Sequence, residues 1–265
     1  MTFTLIAVGL YLLATLLLVR DLARGRTDPR SWTLPAALAL LFHAGFHVAA
    51  WREADGLDLH FFAALSLVGL GMAGLTTAFG ALGRMAALGV VVFPVAAASL
   101  VGYAWYGHVR PEGLDWRLQL HAWCALLAYA TLAIAALLAI MLWAQERALR
   151  RREFHEWLRA LPPLTELETL LFRTIAVGFI LLSATLLTGV LFVENLFEQH
   201  LVQKTVLSVL SWILFGWLML GRWRYGWRGA TAARWTLAAM GLLVLAFFGS
   251  KFVLEVLLPG TQSGT

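Results

Sequence analysis

The chain has few charged residues for its length of 265 residues. Lysine and arginine together number 20 and aspartate and glutamate 15, which is 13% of the chain, whereas soluble domains carry about 25% charge. Hydrophobic residues make up 61%. A soluble globular domain does not have this composition, and a disordered chain, which needs low hydrophobicity and high net charge, is excluded as well.

Cysteine is nearly absent, since Cys124 is the only one. This excludes an intramolecular disulfide, a cysteine-based zinc site, an iron–sulfur cluster and a haem attached through a C-x-x-C-H motif. The sequence also lacks a phosphate-binding glycine loop, a His-Glu-x-x-His motif and a Gly-x-Ser-x-Gly motif, which are signatures of soluble enzymes. We therefore expect a protein that is not an enzyme.

Long apolar runs are what the sequence has in abundance. An apolar run of about 17 residues or more can cross the ~30 Å hydrocarbon core as a helix, and eight segments meet this length: 3–19, 32–51, 59–81, 85–106, 118–144, 171–192, 204–221 and 235–257. Continuous runs fit helices and not the alternating strands of a barrel. The sequence predicts an all-α, polytopic membrane protein with eight transmembrane helices, a single membrane domain over 1–258 and a short outer tail at 259–265.

Arginine is distributed unequally between the loops. Fourteen arginines fall in the loops at 20–31, 82–84, 145–170 and 222–234, whereas the opposite set of loops holds three, Arg52, Arg110 and Arg117. The positive-inside rule places the arginine-rich side in the cytoplasm, so both termini are predicted on the outer (periplasmic) side. The net charge of +5 is thereby explained as a topology signal, and the expected partner is the lipid bilayer, not nucleic acid.

Histidines are the candidate functional residues inside the predicted spans. His43 falls near the middle of the second span, and His47 lies one turn further toward the outer side on the same helix face. His121 opens the fifth span on that side. Neutral imidazole is a good ligand for haem iron; alternatively, each histidine hydrogen-bonds a carbonyl or a Ser/Thr hydroxyl across helices. His60, His108 and His200, near the outer interface, are weaker candidates.

The seventh span places three chemically distinct residues on one face, at Lys204, Ser208 and Trp212. Lys204 could extend to lipid head groups, or it could offer a cation to a haem propionate. Trp212 could pack against a porphyrin, although tryptophans of membrane proteins more often form belts at the interface.

Short segments spread in order along the chain resemble one family. They are 121–123, 128–135, 161–164 followed by Glu166 and Glu168, Thr188-Gly189, the Lys204/Ser208/Trp212 helix, 226–229 and 247–250. Together they resemble the CcsA/HemX-type cytochrome c assembly proteins, and among these the YpjD group of bacterial inner membrane proteins. The similarity covers nearly the whole chain.

The resemblance implies haem handling in the bacterial cytoplasmic (inner) membrane during cytochrome c maturation, with non-covalent haem as cofactor and other cytochrome c biogenesis proteins as a further class of partner. His43 corresponds to the family's membrane histidine of the second helix and His121 to an outer-face histidine, so these two are the predicted iron ligands. His47, Lys204 and Trp212 complete the predicted haem-binding set.

The chain also departs from the family pattern. The tryptophan-rich WWD segment is absent between Glu194 and Gln203, and neither 221–224 nor 259–263 contains the partner histidine expected there. His47 or His60 could substitute for a missing partner. The alternative function is a membrane scaffold that kept the fold without haem binding and stabilises a partner complex. Ligase activity is not expected, and a small-solute transporter is disfavoured because no inverted repeat is evident.

Overall fold

The computed structural model describes residues 2–24, 30–54, 56–80, 86–107, 111–152, 162–192 and 199–252. Long helices account for most of this part of the chain. They are α1 (Thr2–Ala23), α2 (Arg30–Ala54), α3 (Phe61–Gly80), α4 (Gly89–Tyr106), α5 (Trp116–Arg150), α6 (Leu164–Phe192), α7 (Gln199–Tyr225) and α8 (Gly229–Val244). A 3-10 turn, Ala86–Leu88, precedes α4, and a π-helical turn, Leu245–Gly249, follows α8.

All eight helices, α4 and α8 counted together with their adjoining turns, are long and apolar enough to cross a membrane. A helix satisfies the backbone hydrogen-bonding groups of an apolar segment internally, which lipid cannot do. The predicted all-α architecture of eight spans is confirmed within the described residues. The side of the membrane on which the termini lie stays a prediction.

Two helices extend well beyond their apolar runs. Helix α5 continues six residues past the predicted end at 144, and α6 begins seven residues before the predicted start at 171. At the end of α5 the Arg150 guanidinium lies 2.6 Å from the Glu146 carboxylate, a pair with i,i+4 spacing, and Glu166 lies in the first turn of α6, where the helix dipole favours negative charge. Apolar length therefore marks the membrane-crossing part of these helices but not their ends.

The chain divides into two compact units. The first comprises 1–113 and 144–169, and the second comprises 114–143 and 170–265. The prediction of one membrane domain over 1–258 stays a prediction, and the tail at 259–265 lies outside the described residues.

Within the first unit, α1 packs against α2 and α4, and α3 packs against α2 and α4. Small side chains at the contacts, such as Ala7, Ala14 and Ala96, are fully buried and let the helices approach closely. Gly69 on α3 illustrates the fit: a Cβ added there would clash with Ser99 Oγ and lie 3.3 Å from Ala96 Cα on α4. Helices α3 and α4 therefore pack closely at Gly69.

A two-residue antiparallel pairing interrupts the helical pattern of the first unit. Strand β1 (Leu57–Asp58) pairs with β2 (Pro111–Glu112), with Asp58 opposite Pro111. This pairing fixes the backbone of the segment that connects α2 to α3. Asp58 is thereby held at the point where α3 is about to begin.

Side-chain bonds to backbone carbonyls join the helices of the second unit. Ser211 of α7 donates to the Ala239 carbonyl of α8 over 2.8 Å, and the Tyr129 hydroxyl of α5 donates to the Leu243 carbonyl over 2.5 Å. Both hydroxyls are buried, so each would be costly without a partner. These bonds fix the registers of α5 and α7 against α8.

Candidate functional site

His43 and His47 lie on the buried face of α2, as their spacing predicts. This face also contains Trp32, Ala36 and Ala39. The exposed fractions of His43 and His47 are 0% and 1%, and their rings stack at 5.5 Å between centroids with an interplanar angle of 21°. Helix α2 thus presents two adjacent imidazoles to the interior of the first unit.

Both ring nitrogens of His43 have protein partners. Nδ1 lies 3.2 Å from the Tyr11 hydroxyl on α1, and Nε2 lies 2.9 Å from Ser66 Oγ on α3. Tyr11 and Ser66 are themselves fully buried. His43 therefore makes the interhelical hydrogen bonds that the sequence left open as the alternative to iron ligation.

Ser66 bonds both histidines at once, because His47 Nε2 lies 3.0 Å from the same Oγ. A serine hydroxyl has one hydrogen, so it donates to one imidazole and accepts from the other. The chain is consistent in either direction: Tyr11 donates to His43 Nδ1, His43 Nε2–H to Ser66 and Ser66 to His47 Nε2, or each of these bonds is reversed. In both cases His47 Nδ1 has no hydrogen-bond partner among the described residues.

A second buried polar cluster surrounds Asp58, just outside the helical spans. His60 Nδ1 lies 2.6 Å from Asp58 Oδ1, the His60 backbone N–H donates to the same oxygen over 3.2 Å, and the Tyr103 hydroxyl donates to Oδ2 over 3.0 Å. Burial opposes ionisation of Asp58, but the hydrogen bonds from His60 and Tyr103 outweigh it and hold the pKa of the carboxyl below its usual range. Asp58 is therefore a buried carboxylate.

The carboxylate determines which nitrogen of His60 donates to it. An ionised carboxylate only accepts hydrogen bonds, so His60 Nδ1 is the donor, and in the neutral form of the ring the lone pair is on Nε2. That nitrogen has no hydrogen-bond partner among the described residues, and His60 is only 7% exposed. A histidine anchored through one nitrogen to a carboxylate and open at the other is the usual arrangement of a metal-ligating histidine.

Tyr103 connects the two clusters of the first unit. Its ring stacks on His47 at 5.0 Å with an angle of 22° and lies 5.4 Å from the His60 ring. The Tyr103 ring thus packs against both imidazoles while its hydroxyl is bonded to Asp58.

His121, near the start of α5, lies in the second unit and is half-buried. Its Nδ1 is 3.1 Å from the Thr185 backbone carbonyl and 3.2 Å from Thr188 Oγ1, both on α6. A carbonyl can only accept, so Nδ1 carries the hydrogen and Nε2 of the neutral ring is an available lone pair. Gly189 leaves room for this contact, since a Cβ there would lie 3.2 Å from His121 Cε1.

Trp212 and Lys204 both lie on α7 in the second unit. The Trp212 indole N–H donates to Ser183 Oγ over 2.8 Å, and its ring stacks on Phe179 at 5.5 Å with an angle of 14°. Lys204 is half-buried. Trp212 is therefore half-buried and packed on Phe179, with its one donor already bonded.

The predicted site residues are thus divided between the units, His43 and His47 in the first and His121, Lys204 and Trp212 in the second. Of the weaker candidates, His60 joins the Asp58 cluster and His200 is helical, whereas His108 lies outside the described residues. Within the ranges that the structure describes, no group of three His, Cys, Asp or Glu side chains could hold a metal ion.

Sequence reasoning missed four partners of these histidines, Tyr11, Ser66, Asp58 and Tyr103. One signal was available: Asp58 and His60 form an Asp-x-His sequence directly before an apolar run. The other three lie on different helices from the histidines that they contact, and such contacts follow only from helix packing.

Eight spans with titratable side chains buried between them define a multi-pass membrane protein with an internal polar site. Comparison with known proteins gives the family: residues 31–258 match the family model described as "Cytochrome C assembly protein". The chain belongs to this family of cytochrome c assembly proteins, which confirms the resemblance read from the sequence.

Individual relatives are consistent with this assignment. The chain is 34% identical over 239 residues to the "Uncharacterized 28.8 kDa protein in nifR3-like 5'region" of Azospirillum brasilense, covering 89% of this chain and 84% of that one. It is 29% identical over 140 residues to the "Inner membrane protein YpjD" of Escherichia coli strain K12, covering 53% of each chain. No solved structure matches the chain.

Proposed function

We propose that this protein handles haem in the bacterial cytoplasmic membrane during cytochrome c assembly, by binding haem non-covalently and without catalysing a reaction itself. Membership of the cytochrome c assembly family supports the pathway. The similarity to an inner membrane protein supports the location. Other cytochrome c biogenesis proteins are the proposed protein partners.

The observation that carries this proposal is the state of His121. Its Nδ1–H is bonded to the Thr185 carbonyl, which fixes both the tautomer and the ring orientation and leaves Nε2 able to coordinate iron. The ring is half-buried, so a ligand can reach it. Haem at this site would supply an iron centre that accepts an imidazole and a porphyrin that packs on apolar side chains.

Two residues of α7, which lies in the same unit as His121, are proposed to contact the bound haem. Lys204 is half-buried, and a lysine in that situation can present its ammonium group to a haem propionate. Trp212 already donates its indole hydrogen to Ser183, so its contribution would be packing and not hydrogen bonding.

The experiment is the absorption spectrum of protein purified in detergent from haem-replete cells. We expect a Soret band in the wild type that is lost or strongly reduced in His121→Ala. Gln119→Ala is the matched control, because Gln119 lies at the same end of α5 and bonds the local Leu114 carbonyl instead of α6. Absence of a Soret band in the wild type, or equal bands in all three proteins, would contradict the haem assignment.

A second candidate function is a scaffold that kept the fold without haem binding. It is favoured by His43, the predicted membrane ligand, whose two ring nitrogens are both bonded to protein groups. A double variant, His43→Ala with His121→Ala, separates the candidates in cells that lack the chromosomal gene. Restored cytochrome c levels would favour the scaffold, and failure to restore them with normal membrane abundance of the variant would favour haem handling.

The orientation is also proposed, with both termini on the periplasmic side. The support is the asymmetry of arginines between the loops. A reporter fused after the last residue and active only in the periplasm should be active, whereas activity of a cytoplasmic reporter at the same position would reverse the topology.

A further inference from the structure

We propose that the connection between α7 and α8 binds an anionic phospholipid of the bilayer, with the lipid phosphate at Arg224, Arg228 and Arg234 and the acyl chains on the exposed apolar faces of the two helices. This surface belongs to the second unit, where α7 ends and α8 begins. The inference does not depend on haem binding.

The charge of this surface has one sign. Four arginines fall within 222–234, and the sequence has no aspartate or glutamate anywhere in 199–254. The side chains of Arg224, Arg228 and Arg234 are exposed. The surface is therefore positively charged, and its chemical complement is an anion.

Other exposed arginines of the chain lie beside carboxylates. The Arg20 guanidinium is 3.7 Å from the Asp21 carboxylate, and the Arg150 guanidinium is 2.6 Å from the Glu146 carboxylate. Carboxylates of this kind reduce the local positive charge, whereas 199–254 contains none. The connection between α7 and α8 thus differs from these other arginine positions in the charge that surrounds it.

The turn that carries the arginines is folded back on itself. Gly226 has a φ of +66°, a left-handed conformation that glycine adopts without strain, and the Trp227 backbone N–H donates to the Gly221 carbonyl over 3.3 Å. Arg222 is used within the turn: its guanidinium donates to the Trp227 carbonyl over 3.3 Å and lies 4.7 Å from the centre of the Phe172 ring. A sequence signal for topology needs only charge, but here the charge is carried on a fixed backbone.

An aromatic cluster joins the two helices at this turn. The Trp227 ring stacks on Trp235 of α8 at 6.1 Å with an angle of 6°, and it meets Trp217 of α7 edge-on at 6.1 Å. Tyr225 stacks on the same ring at 6.3 Å. Tryptophan and tyrosine rings of membrane proteins gather at the level of the lipid head groups. The cluster therefore indicates where the head groups lie along α7 and α8.

An exposed apolar strip on α7 leads to the first of the three arginines. Ile213, Trp217 and Leu220 are exposed and recur at intervals of four and three residues, and Arg224 continues the series four residues later. These side chains share one helix face. A lipid chain that packs along this face would have its phosphate end at Arg224.

Arg234 lies on the exposed face of α8, inside the helix. It is five positions beyond the first residue, Gly229, and so about 7 Å along the helix axis. A guanidinium is costly in hydrocarbon, and helical side chains tilt toward the N-terminus, which for α8 is the end at the turn. Arg234 can therefore reach back to the level of Arg228, while exposed Leu237 lies deeper on the helix.

The charge also selects the class of lipid. A guanidinium binds phosphate oxygens through charge-assisted and often bidentate hydrogen bonds, and every glycerophospholipid has a phosphate. Phosphatidylethanolamine and phosphatidylcholine add a cation, which neighbouring guanidinium groups repel. Phosphatidylglycerol and cardiolipin have no such cation, and basic sites beside membrane spans are known to bind acidic lipids. The surface therefore fits these two lipids best.

The test is thermal unfolding of the full-length protein in detergent with added lipid. We expect phosphatidylglycerol and cardiolipin at saturation to raise the unfolding midpoint by about 5 °C more than phosphatidylcholine does. The triple variant Arg224→Gln, Arg228→Gln and Arg234→Gln should lose at least half of this difference. Equal midpoints in the three lipids would overturn the inference, and so would an equal rise with inorganic phosphate, which would indicate a site for a free anion.

A matched triple variant controls for the loss of positive charge. Arg20→Gln, Arg24→Gln and Arg150→Gln removes three exposed arginines from the other unit. We expect it to keep the full preference for phosphatidylglycerol and cardiolipin. An equal loss in both triple variants would show that the preference comes from net charge and not from the connection between α7 and α8.

A measurement on the wild type alone covers the case in which the first triple variant does not accumulate in the membrane. Lipids that remain bound after purification in detergent are extracted and quantified by mass spectrometry. The ratio of phosphatidylglycerol plus cardiolipin to phosphatidylethanolamine should be at least twice that of the membrane from which the protein was extracted. A ratio equal to that of the membrane would overturn the inference.

Discussion

Two groups of histidines in this protein differ in how their ring nitrogens are bonded. His43 and His47 lie between helices and share the hydroxyl of Ser66. His60 and His121 are each anchored through Nδ1, to a carboxylate and to a backbone carbonyl, and neither has a described partner at Nε2. A histidine within a membrane is expensive to bury in either case, so burial alone does not distinguish a structural histidine from a ligand.

The two groups differ in which nitrogen holds the imidazole ring and which nitrogen stays open. In the first group Tyr11, His43 and Ser66 satisfy one another's polar atoms and hold His47 through Nε2, so only His47 Nδ1 has no described partner. In the second group one nitrogen is held and the other is open, which orients the ring and leaves it reactive. We therefore expect ligation where Nδ1 is held and Nε2 is open, which is the usual arrangement of a metal-bound histidine.

The largest effect on stability should come from Asp58→Ala. This change removes the acceptor of three hydrogen bonds, from His60 Nδ1, the His60 N–H and the Tyr103 hydroxyl. We expect unfolding free energy in detergent to fall by about 3 kcal/mol, since hydrogen bonds to a buried charge are among the stronger ones. Asp115→Ala is the control, because Asp115 is exposed and its carboxylate lies 4.0 Å from Arg117. Equal losses in the two variants would show that the Asp58 cluster is not structural.

Ser66→Ala tests the hydrogen bonds that Ser66 makes to His43 and His47. It leaves Nε2 of both His43 and His47 without a partner in the interior of the unit, and we expect a loss of about 1–3 kcal/mol in unfolding free energy. Ser99→Ala is matched to it, because Ser99 is also buried in this unit but bonds a carbonyl of its own helix. A loss for Ser66→Ala no larger than for Ser99→Ala would contradict the shared hydrogen bond.

Acid should weaken the Asp58 cluster by protonating its carboxylate. The folded-state pKa of Asp58 lies below that of the unfolded chain, so its contribution to stability is complete above the ordinary aspartate pKa of about 4 and is lost as the pH falls through the lower folded-state value. Thermal unfolding of the wild type and Asp58→Asn between pH 6 and pH 3 measures this. The difference between them should shrink below about pH 4, and a difference that grows toward low pH would reverse the sign of the argument.

The smallest predicted effect is that of Thr188→Val. Its hydroxyl lies 3.2 Å from His121 Nδ1, but the Thr185 carbonyl accepts from the same nitrogen at 3.1 Å. We expect a loss of less than about 1 kcal/mol and an unchanged Soret band. A large spectral change would mean that the hydroxyl, and not the carbonyl, sets the tautomer of His121.

Much of the fold follows from the sequence, because apolar length is a direct requirement of the bilayer. The eight spans were predicted, although apolar length alone does not mark the ends of α5 and α6, since charged residues such as Glu146 and Glu166 continue a helix beyond the hydrocarbon. The shared face of His43 and His47 was also predicted, because spacing within one helix determines it.

The site was predicted only in part. The pairing of His43 with Tyr11 and Ser66 joins residues 32 and 23 positions apart, and helix periodicity does not say which helices become neighbours. The role of Asp58 depends on the short strand pairing that holds it against His60, and a two-residue strand has no recognisable pattern. The sequence thus identifies the titratable residues but not the partners that decide their chemistry.

The most direct test of the central claim, that a histidine held at Nδ1 and open at Nε2 is the ligand, compares two variants by absorption spectroscopy. One is His121→Ala, and the other is His43→Ala with His47→Ala, both purified in detergent from haem-replete cells. The account predicts that the first variant loses the Soret band and the second retains it. Loss of the band in the second with retention in the first would contradict the account.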